Sequence, residues 1–386
     1  MTRRVMRRAG ADDCARLRAP GFLFLFAHCA LHYNYAVIFG DPADRESEMG
    51  ADPEGRAGQS GIPIVLMGLG EIGQAIARAV LARPDLRVVA AVDPHPSLAG
   101  CPLPEVLGAA APALVVAKDL ADVVAAARGG VVLQATRSRF DEALPDLQEA
   151  VGAGLHVVST CEELAWPWLR HEEEAAALDR LCHERNVAVL GTGVNPGFVL
   201  DRLPAVLAQV TGPVRHVRGV RVVDVSPRRA ALRRKVGVGL DERAFHDGAE
   251  RGEIGHVGLA ESAALVAEGC IGLDEYEVDE DILPLLAEED VSAPVALRAG
   301  QVAGLRHEAR VFAEDGREVV RLELTLAVGA DDPRDEIALD AEPPVRLLVP
   351  GGIPGDLATV HAAVNAVSAI VELRGIVSVL DLPAGR

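Results

Sequence analysis

The sequence predicts an α/β fold: a doubly wound parallel sheet, then a second α+β domain with an open, mostly antiparallel sheet, and a C-terminal helix that returns to the first domain. Three observations carry this expectation. From Ile62 onward, aliphatic runs alternate with stretches of helical periodicity, the rhythm of βα units. Runs such as Val131-Val-Leu and His156-Val-Val are continuously apolar, as strands covered by helices on both faces are. Beyond Pro204 the runs lengthen and alternate, and Glu314-Asp-Gly316-Arg supplies a hairpin turn between Arg306–Phe312 and Val319–Leu326.

Residues 1–60 differ from the remainder. The run from Gly21 to Gly40 alone holds four of the eight Phe and two of the three Tyr. His28, His32 and Asn34 interrupt its apolar core and no small-residue cleavage site follows, so it reads neither as an anchor nor as an export signal. Asp41 to Gly61 is rich in Gly, Asp, Glu and Ser and reads as a disordered lead-in, with Met49 a candidate initiator. The whole extension is expected to stand outside the fold.

Elements then follow in order: strand 62–67, helix 71–82, strand 86–92, strand 113–117, helix 118–128, strand 131–135, helix 140–152, strand 155–159, helix 168–185 and strand 187–190. The first strand runs Ile64-Val-Leu-Met-Gly68-Leu-Gly70-Glu71-Ile72-Gly73, a GxGxxG turn that opens a helix. Gly68 permits the tight turn, Gly70 lets backbone approach a pyrophosphate, and Gly73 lets helix and strand pack closely. The second strand ends at Asp93, 20 residues beyond the last glycine, where a carboxylate takes the ribose hydroxyls of a dinucleotide. Strand, glycines, helix, strand and acid in this order predict a Rossmann-type domain holding NAD or NADP, with NAD favoured because Asp93 repels a 2′-phosphate. After Pro204 a strand begins at His216, helices are expected near 242–251 and 257–269, and a meander spans 295–328. Gly351 to Gly355 is a loop capped by Asp356 into a helix of small residues.

The formal net charge of −19 excludes the basic surface that nucleic acid or an anionic membrane requires. Six cysteines, at 14, 29, 101, 161, 182 and 270, form no CxxC pair and no metal-ligand spacing with histidine. They read as reduced thiols of a cytoplasmic protein without a metal site. Ligands of a doubly wound sheet sit at the C-terminal ends of its strands. Three polar loops leave those ends: Gln134-Ala-Thr136-Arg137-Ser138, Ser159-Thr-Cys-Glu162-Glu163 and Gly191-Thr-Gly-Val-Asn195-Pro196-Gly197.

These segments, with Cys161-Glu-Glu-Leu-Ala-Trp-Pro167, Gly193-Val-Asn-Pro-Gly197-Phe, Lys235-Val-Gly-Val-Gly-Leu, Gly255-His-Val-Gly-Leu-Ala-Glu-Ser262 and Gly351-Gly-Ile-Pro-Gly-Asp356, resemble the 2,4-diaminopentanoate dehydrogenase family, which includes the native amine dehydrogenases and has a dihydrodipicolinate reductase-like fold. The resemblance covers about residues 62–384. It implies NAD(P)-dependent oxidative deamination of an amine, or reductive amination of a ketone or aldehyde with ammonia, by a homodimer. It also implies a catalytic glutamate in the loop after the fifth strand, for which Glu162 is the first candidate and Glu163 the second. A carboxylate there stabilises a cationic iminium and handles its proton.

On this reading Gly68, Gly70, Glu71, Ile72, Gly73, Asp93, Thr136, Arg137, Ser138 and Asn195 hold the cofactor. Trp166, Trp168, Asn195, Pro196 and Thr359 line the substrate space. His256, His307 and His361 have no assigned role. The expected divisions are an extension at 1–60, a dinucleotide-binding domain at 61–203, a substrate and dimerisation domain at 204–348, and a C-terminal segment at 349–386 packing on the nucleotide domain. Two other readings remain at this point: a dihydrodipicolinate reductase- or diaminopimelate dehydrogenase-like oxidoreductase, and an NAD(P)-sensing protein without chemistry. Neither a helix-turn-helix nor a basic stripe supports the latter.

Overall fold

A computed structural model of the chain describes residues 2–7, 61–293 and 295–384. Met1–Arg8 and Gly61–Arg386 make up one compact unit. Its elements are β1 (Thr2–Arg7), β2 (Ile62–Met67), α1 (Glu71–Leu81), β3 (Leu86–Val92), α2 (Leu103–Leu107), β4 (Val131–Gln134), α3 (Phe140–Gly152), β5 (His156–Ser159), α4 (Glu172–Arg185), β6 (Ala188–Gly191) and α5 (Arg202–Ala208). There follow β7 (His216–Asp224), α6 (Ala230–Lys235), α7 (Glu242–Glu250), α8 (Leu259–Val266), β8 (Tyr276–Leu286), β9 (Val302–Ala313), β10 (Glu318–Ala327), β11 (Arg334–Asp340), β12 (Val345–Pro350), α9 (Gly355–Ile370) and β13 (Gly375–Val377).

One sheet has six parallel strands in the order β13-β6-β5-β4-β2-β3. Its uninterrupted apolar strands are explained by two covered faces. Ile64, Leu66 and Leu133 meet Ile76, Ala77 and Val80 of α1 and Val360, Val364 and Val367 of α9 on one side. Val65, Val132, Val157 and Val189 meet Phe140 and Leu147 of α3 and Leu178 of α4 on the other. Each such buried side chain contributes about 1.5–3 kcal/mol through the water it sheds. The C-terminal helix thus returns to the first sheet, and β13 extends that sheet beside β6. The strand order reverses at β2, whose neighbours are β3 and β4, so a crevice opens at their C-terminal ends.

The second sheet has seven strands, β1-β8-β9-β10-β7-β11-β12, antiparallel except for the β10–β7 pair. Alternation sets its two faces. Val278, Leu305, Ala309, Val311, Leu322 and Leu324 pack under α8. On the other face of β7, β9 and β10, Glu323 pairs with Arg218 at 2.7 Å and with Arg306 at 3.2 Å.

Several expectations are corrected. The stretch 113–117 makes no strand; it reduces to single bridges, Ala117 to Val92 and Val115 to Pro102, because Val115 is 61% exposed and nothing covers it. The helix expected at 118–128 is two 3₁₀ turns, Leu120–Asp122 and Val124–Ala127. The helix expected from 168 begins at Glu172, after 3₁₀ turns at Glu163–Ala165 and Pro167–Leu169, since Pro167 opens a turn of its own. Strand β8 was not anticipated; Tyr276 and Val278 are buried and Glu280 is satisfied by partners described below. The expected division at 203/204 falls inside α5. The extension is not wholly outside the fold, for Thr2–Arg7 pairs antiparallel with Asp281–Tyr276. The aromatic run at 21–40, the lead-in from 41 and Met49 lie outside the described residues. Among the described residues no helix is long and apolar enough to cross a membrane.

Candidate active site

The crevice at the strand ends is a cleft of about 400 Å³, and residues of both sheets wall it. Its first wall is the glycine turn. Gly68 has φ +85°, a conformation that favours glycine, and a Cβ there would stand 2.6 Å from the Ala135 carbonyl. A Cβ on Gly73 would stand 1.8 Å from the Gly68 carbonyl, so helix and turn are in direct contact. Gly70 differs: nothing lies within 4 Å of its missing Cβ, and it lines the cleft with Glu71 and Ile72. Bare backbone at the N-terminus of α1 therefore borders open space, the arrangement that suits a pyrophosphate. Asp93 stands behind the turn, 8% exposed; its carboxylate accepts hydrogen bonds from Leu69 N at 2.7 Å and His95 N at 2.9 Å.

The three loops do converge. Thr136, Arg137 and Ser138 after β4, Glu162 after β5, and Asn195 and Pro196 after β6 all line the cleft, with Thr359 from α9. Their placement is secured from beneath. Asp201, fully buried, accepts from Gly197 N at 2.7 Å and from the Ser262 hydroxyl at 2.8 Å. Val194 N donates to Thr359 Oγ1 at 3.2 Å. Asn195, held between these ties, is 8% exposed, and neither its Oδ1 nor its Nδ2 has a hydrogen-bond partner. An amide buried that way costs roughly 1–3 kcal/mol for each unmet group, which a ligand in the cleft would offset.

The two adjacent glutamates face opposite ways. Glu162 Oε1 meets the Lys235 ammonium at 3.3 Å, and Lys235 also approaches Ser138 Oγ at 3.5 Å. Glu163 is turned out of the cleft: its Oε2 accepts from Phe140 N at 2.8 Å, at the start of α3, and from His171 Nε2 at 3.2 Å. That corrects the second catalytic candidate, because a carboxylate committed to a helix N-terminus faces no substrate. Trp166 and Trp168 are corrected likewise. Their rings lie 5.0 Å apart, Trp168 is 6% exposed in the core and Trp166 packs half-buried against it, and neither lines the cleft. Gly68, Gly73 and Asp93 shape the turn without lining the cleft.

Sequence reasoning missed most of the second wall: Arg221, Arg228, Arg229, Lys235, His256 and Asp356. Arg221 is clamped, its Nη1 on both Asp335 oxygens at 2.7 and 2.8 Å and its Nη2 on Ile353 O at 2.7 Å. Arg228 and Arg229 share Asp356 at 2.9 and 3.6 Å, and Arg229 reaches Glu71 at 3.5 Å across to α1. His256 Nδ1 is buried without a partner; burial, then Lys235, His307 and Arg221, hold the ring well below the usual imidazole range, so it is neutral at ordinary pH. Behind it lies a charge network in which Glu280 binds His307 at 3.0 Å and Arg170 at 2.9 Å, while Arg170 binds Glu261 at 2.7 Å. Burial opposes ionisation of Glu280, but its bonds to His307 and Arg170 outweigh it and hold the group down at about 2.

Residues 198–386 match the family model of the 2,4-diaminopentanoate dehydrogenase C-terminal domain. The chain is 26% identical over 335 residues to a 2,4-diaminopentanoate dehydrogenase of Acetoanaerobium sticklandii, covering 84% of this chain and 94% of that one. Its fold superposes on an amine dehydrogenase from Mycobacterium smegmatis with a TM-score of 0.73 at 23% identity, over 85% of this chain and 98% of the other.

Proposed function

We propose that the chain belongs to the 2,4-diaminopentanoate dehydrogenase family, whose C-terminal domain it matches, and that it is an NAD(P)-dependent amine dehydrogenase. It interconverts an amine with a ketone or aldehyde and ammonia. The observation that carries this reading is the Glu162–Lys235 pair, set in a cleft that has a bare glycine turn at its edge and an unsatisfied Asn195 in its wall.

Gly70, Glu71, Ile72, Thr136, Arg137 and Ser138 would hold the dinucleotide, and the buried Asn195 amide suits a carboxamide, which offers a donor and an acceptor in return. When bound, the nicotinamide supplies or accepts the hydride. Glu162 faces the cation that forms at the reacting carbon and nitrogen, stabilises it electrostatically and exchanges its proton. NAD is favoured over NADP because Asp93 ends β3. The enzyme acts as a homodimer in the cytoplasm, on a small amine or carbonyl compound and ammonia.

A screen of ketones and aldehydes with ammonia, and of amines in the reverse direction, each with NAD and NADP, tests the reading through nicotinamide absorbance. Turnover confined to alcohols, or none in the presence of measured NADH binding, refutes it.

A further inference from the structure

Lysine occurs twice in this chain, at 118 and 235, against 36 arginines. Among the described residues, all the other ion pairs given above that involve a basic side chain other than histidine are made by arginine. Arg233 and Arg234 immediately precede the exception. Lys235 ends α6, lines the cleft and contacts Glu162 and Ser138 across it. A guanidinium holds its proton throughout the working range of proteins, whereas a primary ammonium is compact and can release one. The position facing the reactive carboxylate therefore carries a cation that differs from its neighbours in being able to give up a proton.

We propose that Lys235 is the acid that dehydrates the carbinolamine in the amination reaction; the inference rests on the amine dehydrogenase reading above. An ammonium ion entering the cleft gives a proton to the Glu162 carboxylate, and the resulting ammonia adds to the carbonyl carbon. A shift of one proton from nitrogen to oxygen leaves a neutral carbinolamine. The Lys235 ammonium then protonates the hydroxyl as the C–O bond breaks; water departs and the C=N bond of the iminium forms. The neutral Lys235 amine, in contact with protonated Glu162, takes back the proton that Glu162 received. The sum is carbonyl plus ammonium giving iminium plus water, balanced in atoms and charge. Reduction by hydride from the reduced nicotinamide dinucleotide follows. In deamination the same pair runs backward, Lys235 receiving the proton released as water adds.

Lys235→Arg tests this, because it keeps the positive charge beside Glu162 and removes the transferable proton. Loss of general acid catalysis typically costs about a hundredfold to ten-thousandfold, so ketone amination is expected to slow by at least about a hundredfold. With hydride-position deuterated NADH the primary isotope effect on kcat should fall toward unity, since a step before hydride transfer now limits. NADH binding, followed by its fluorescence, is expected to stay within about threefold and reports that the variant is folded. A rate within about tenfold of wild type overturns the proposal. So does a large fall with the isotope effect fully expressed, which would make Lys235 a positioning residue for hydride transfer. If Lys235→Arg fails to bind NADH, Lys235→Met is judged by the same isotope criterion. Independently of turnover, the two lysines should give two Cε signals by ¹³C NMR of ¹³C-lysine protein; Glu162→Gln should move the Lys235 signal and leave that of Lys118, and no movement overturns the pair. A wild-type protein that aminates no carbonyl compound refutes the function and leaves this contact to be judged by the NMR result alone.

Discussion

Two glycines three residues apart should respond oppositely to the same methyl group. In Gly73→Ala the new Cβ would lie 1.8 Å from the Gly68 carbonyl, against a floor of 3.0 Å, so turn and helix must part by at least 1.2 Å. The turn cannot yield, because the missing Cβ of Gly68 is itself 2.6 Å from the Ala135 carbonyl. Overpacking against backbone belongs at the upper end of its range, about 3 kcal/mol or more. A change of 1 kcal/mol shifts Tm by roughly 2–4 °C in domains of this order, so a loss of about 6–12 °C is expected. Gly70→Ala meets no atom within 4 Å, and its backbone, at φ −67° and ψ −172°, suits alanine. Removing glycine from the helix N-cap costs some tenths of a kcal/mol to about 1, and restricting the unfolded chain returns about 0.4–1, so stability should hold. Binding should not hold, because the methyl enters the cleft where backbone is bare. The Kd for NADH is expected to rise at least tenfold, about 1.4 kcal/mol. Calorimetric Tm and NADH fluorescence titration read the two effects separately. A Gly70→Ala protein with unchanged Kd, or with the Tm loss assigned to Gly73→Ala, refutes the assignment of this turn to the cofactor.

Glu162→Gln should lower kcat by at least about two orders of magnitude with little change in NADH affinity. Glu163→Gln should instead lower Tm, through the weakened bonds to Phe140 N and His171, with turnover nearly kept; abolished turnover at unchanged Tm would reverse the two roles. Because Asp93 ends β3, kcat/KM for NAD should match or exceed that for NADP, and a preference for NADP beyond about tenfold would sink that assignment. His156 Nδ1 accepts from Ala188 N at 3.0 Å, and burial, then Arg374, pushes the ring down to about 4. The unfolded chain titrates near 6.5, so this contribution is present above pH 6.5 and is lost as pH falls toward 4, at most roughly 3 kcal/mol in all. Tm measured across that window should fall less in His156→Leu than in wild type, and an identical slope would remove His156 as the cause. Glu280 acts below it, stabilising above pH 4.5 and losing that contribution as pH falls toward 2.

What was legible in the sequence was whatever repeats along one strand or one helix. The apolar runs placed five of the six strands of the parallel sheet, all but β13, and the glycine spacing placed its ligand turn, because both depend on neighbours close in the chain. Glu162 and Glu163 show the limit. Their difference is one of direction, set by a 3₁₀ turn and by the free N–H of Phe140, 23 residues away in sequence. The tryptophans were assigned to the substrate by proximity to that pair, and the chain instead packs Trp168 into the core and Trp166 against it. The second wall of the cleft was invisible for another reason. Arg221, Arg228, Arg229 and Lys235 come from one stretch of chain, but their partners are Asp335, Asp356, Glu71 and Glu162, scattered along the chain, and no local pattern announces such pairs. A compositional signal for Lys235 did exist, in its rarity.

The charge of the cleft runs against that of the protein. The chain carries a formal −19, yet the cleft is lined by Arg137, Arg221, Arg228, Arg229 and Lys235 against Glu71, Glu162 and Asp356. The excess is not spread evenly. Arg228 pairs with Asp356, and Arg229 extends from Asp356 to Glu71 in the first turn of α1, so two guanidinium groups and two carboxylates stand beside the bare backbone of Gly70. Lys235 is matched by Glu162, and Arg221 is matched by Asp335 from behind. One region of the cleft thus presents two guanidinium groups beside bare backbone N–H, and another a single ammonium–carboxylate pair. On the proposed function the first suits a pyrophosphate and the second suits an amine, which is neutral when hydride leaves its carbon and cationic once it has left. A site neutral at rest does not hold the charged iminium as a permanent ion pair. It gains its attraction as the charge develops, which is the condition for stabilising a transition state more than the bound substrate.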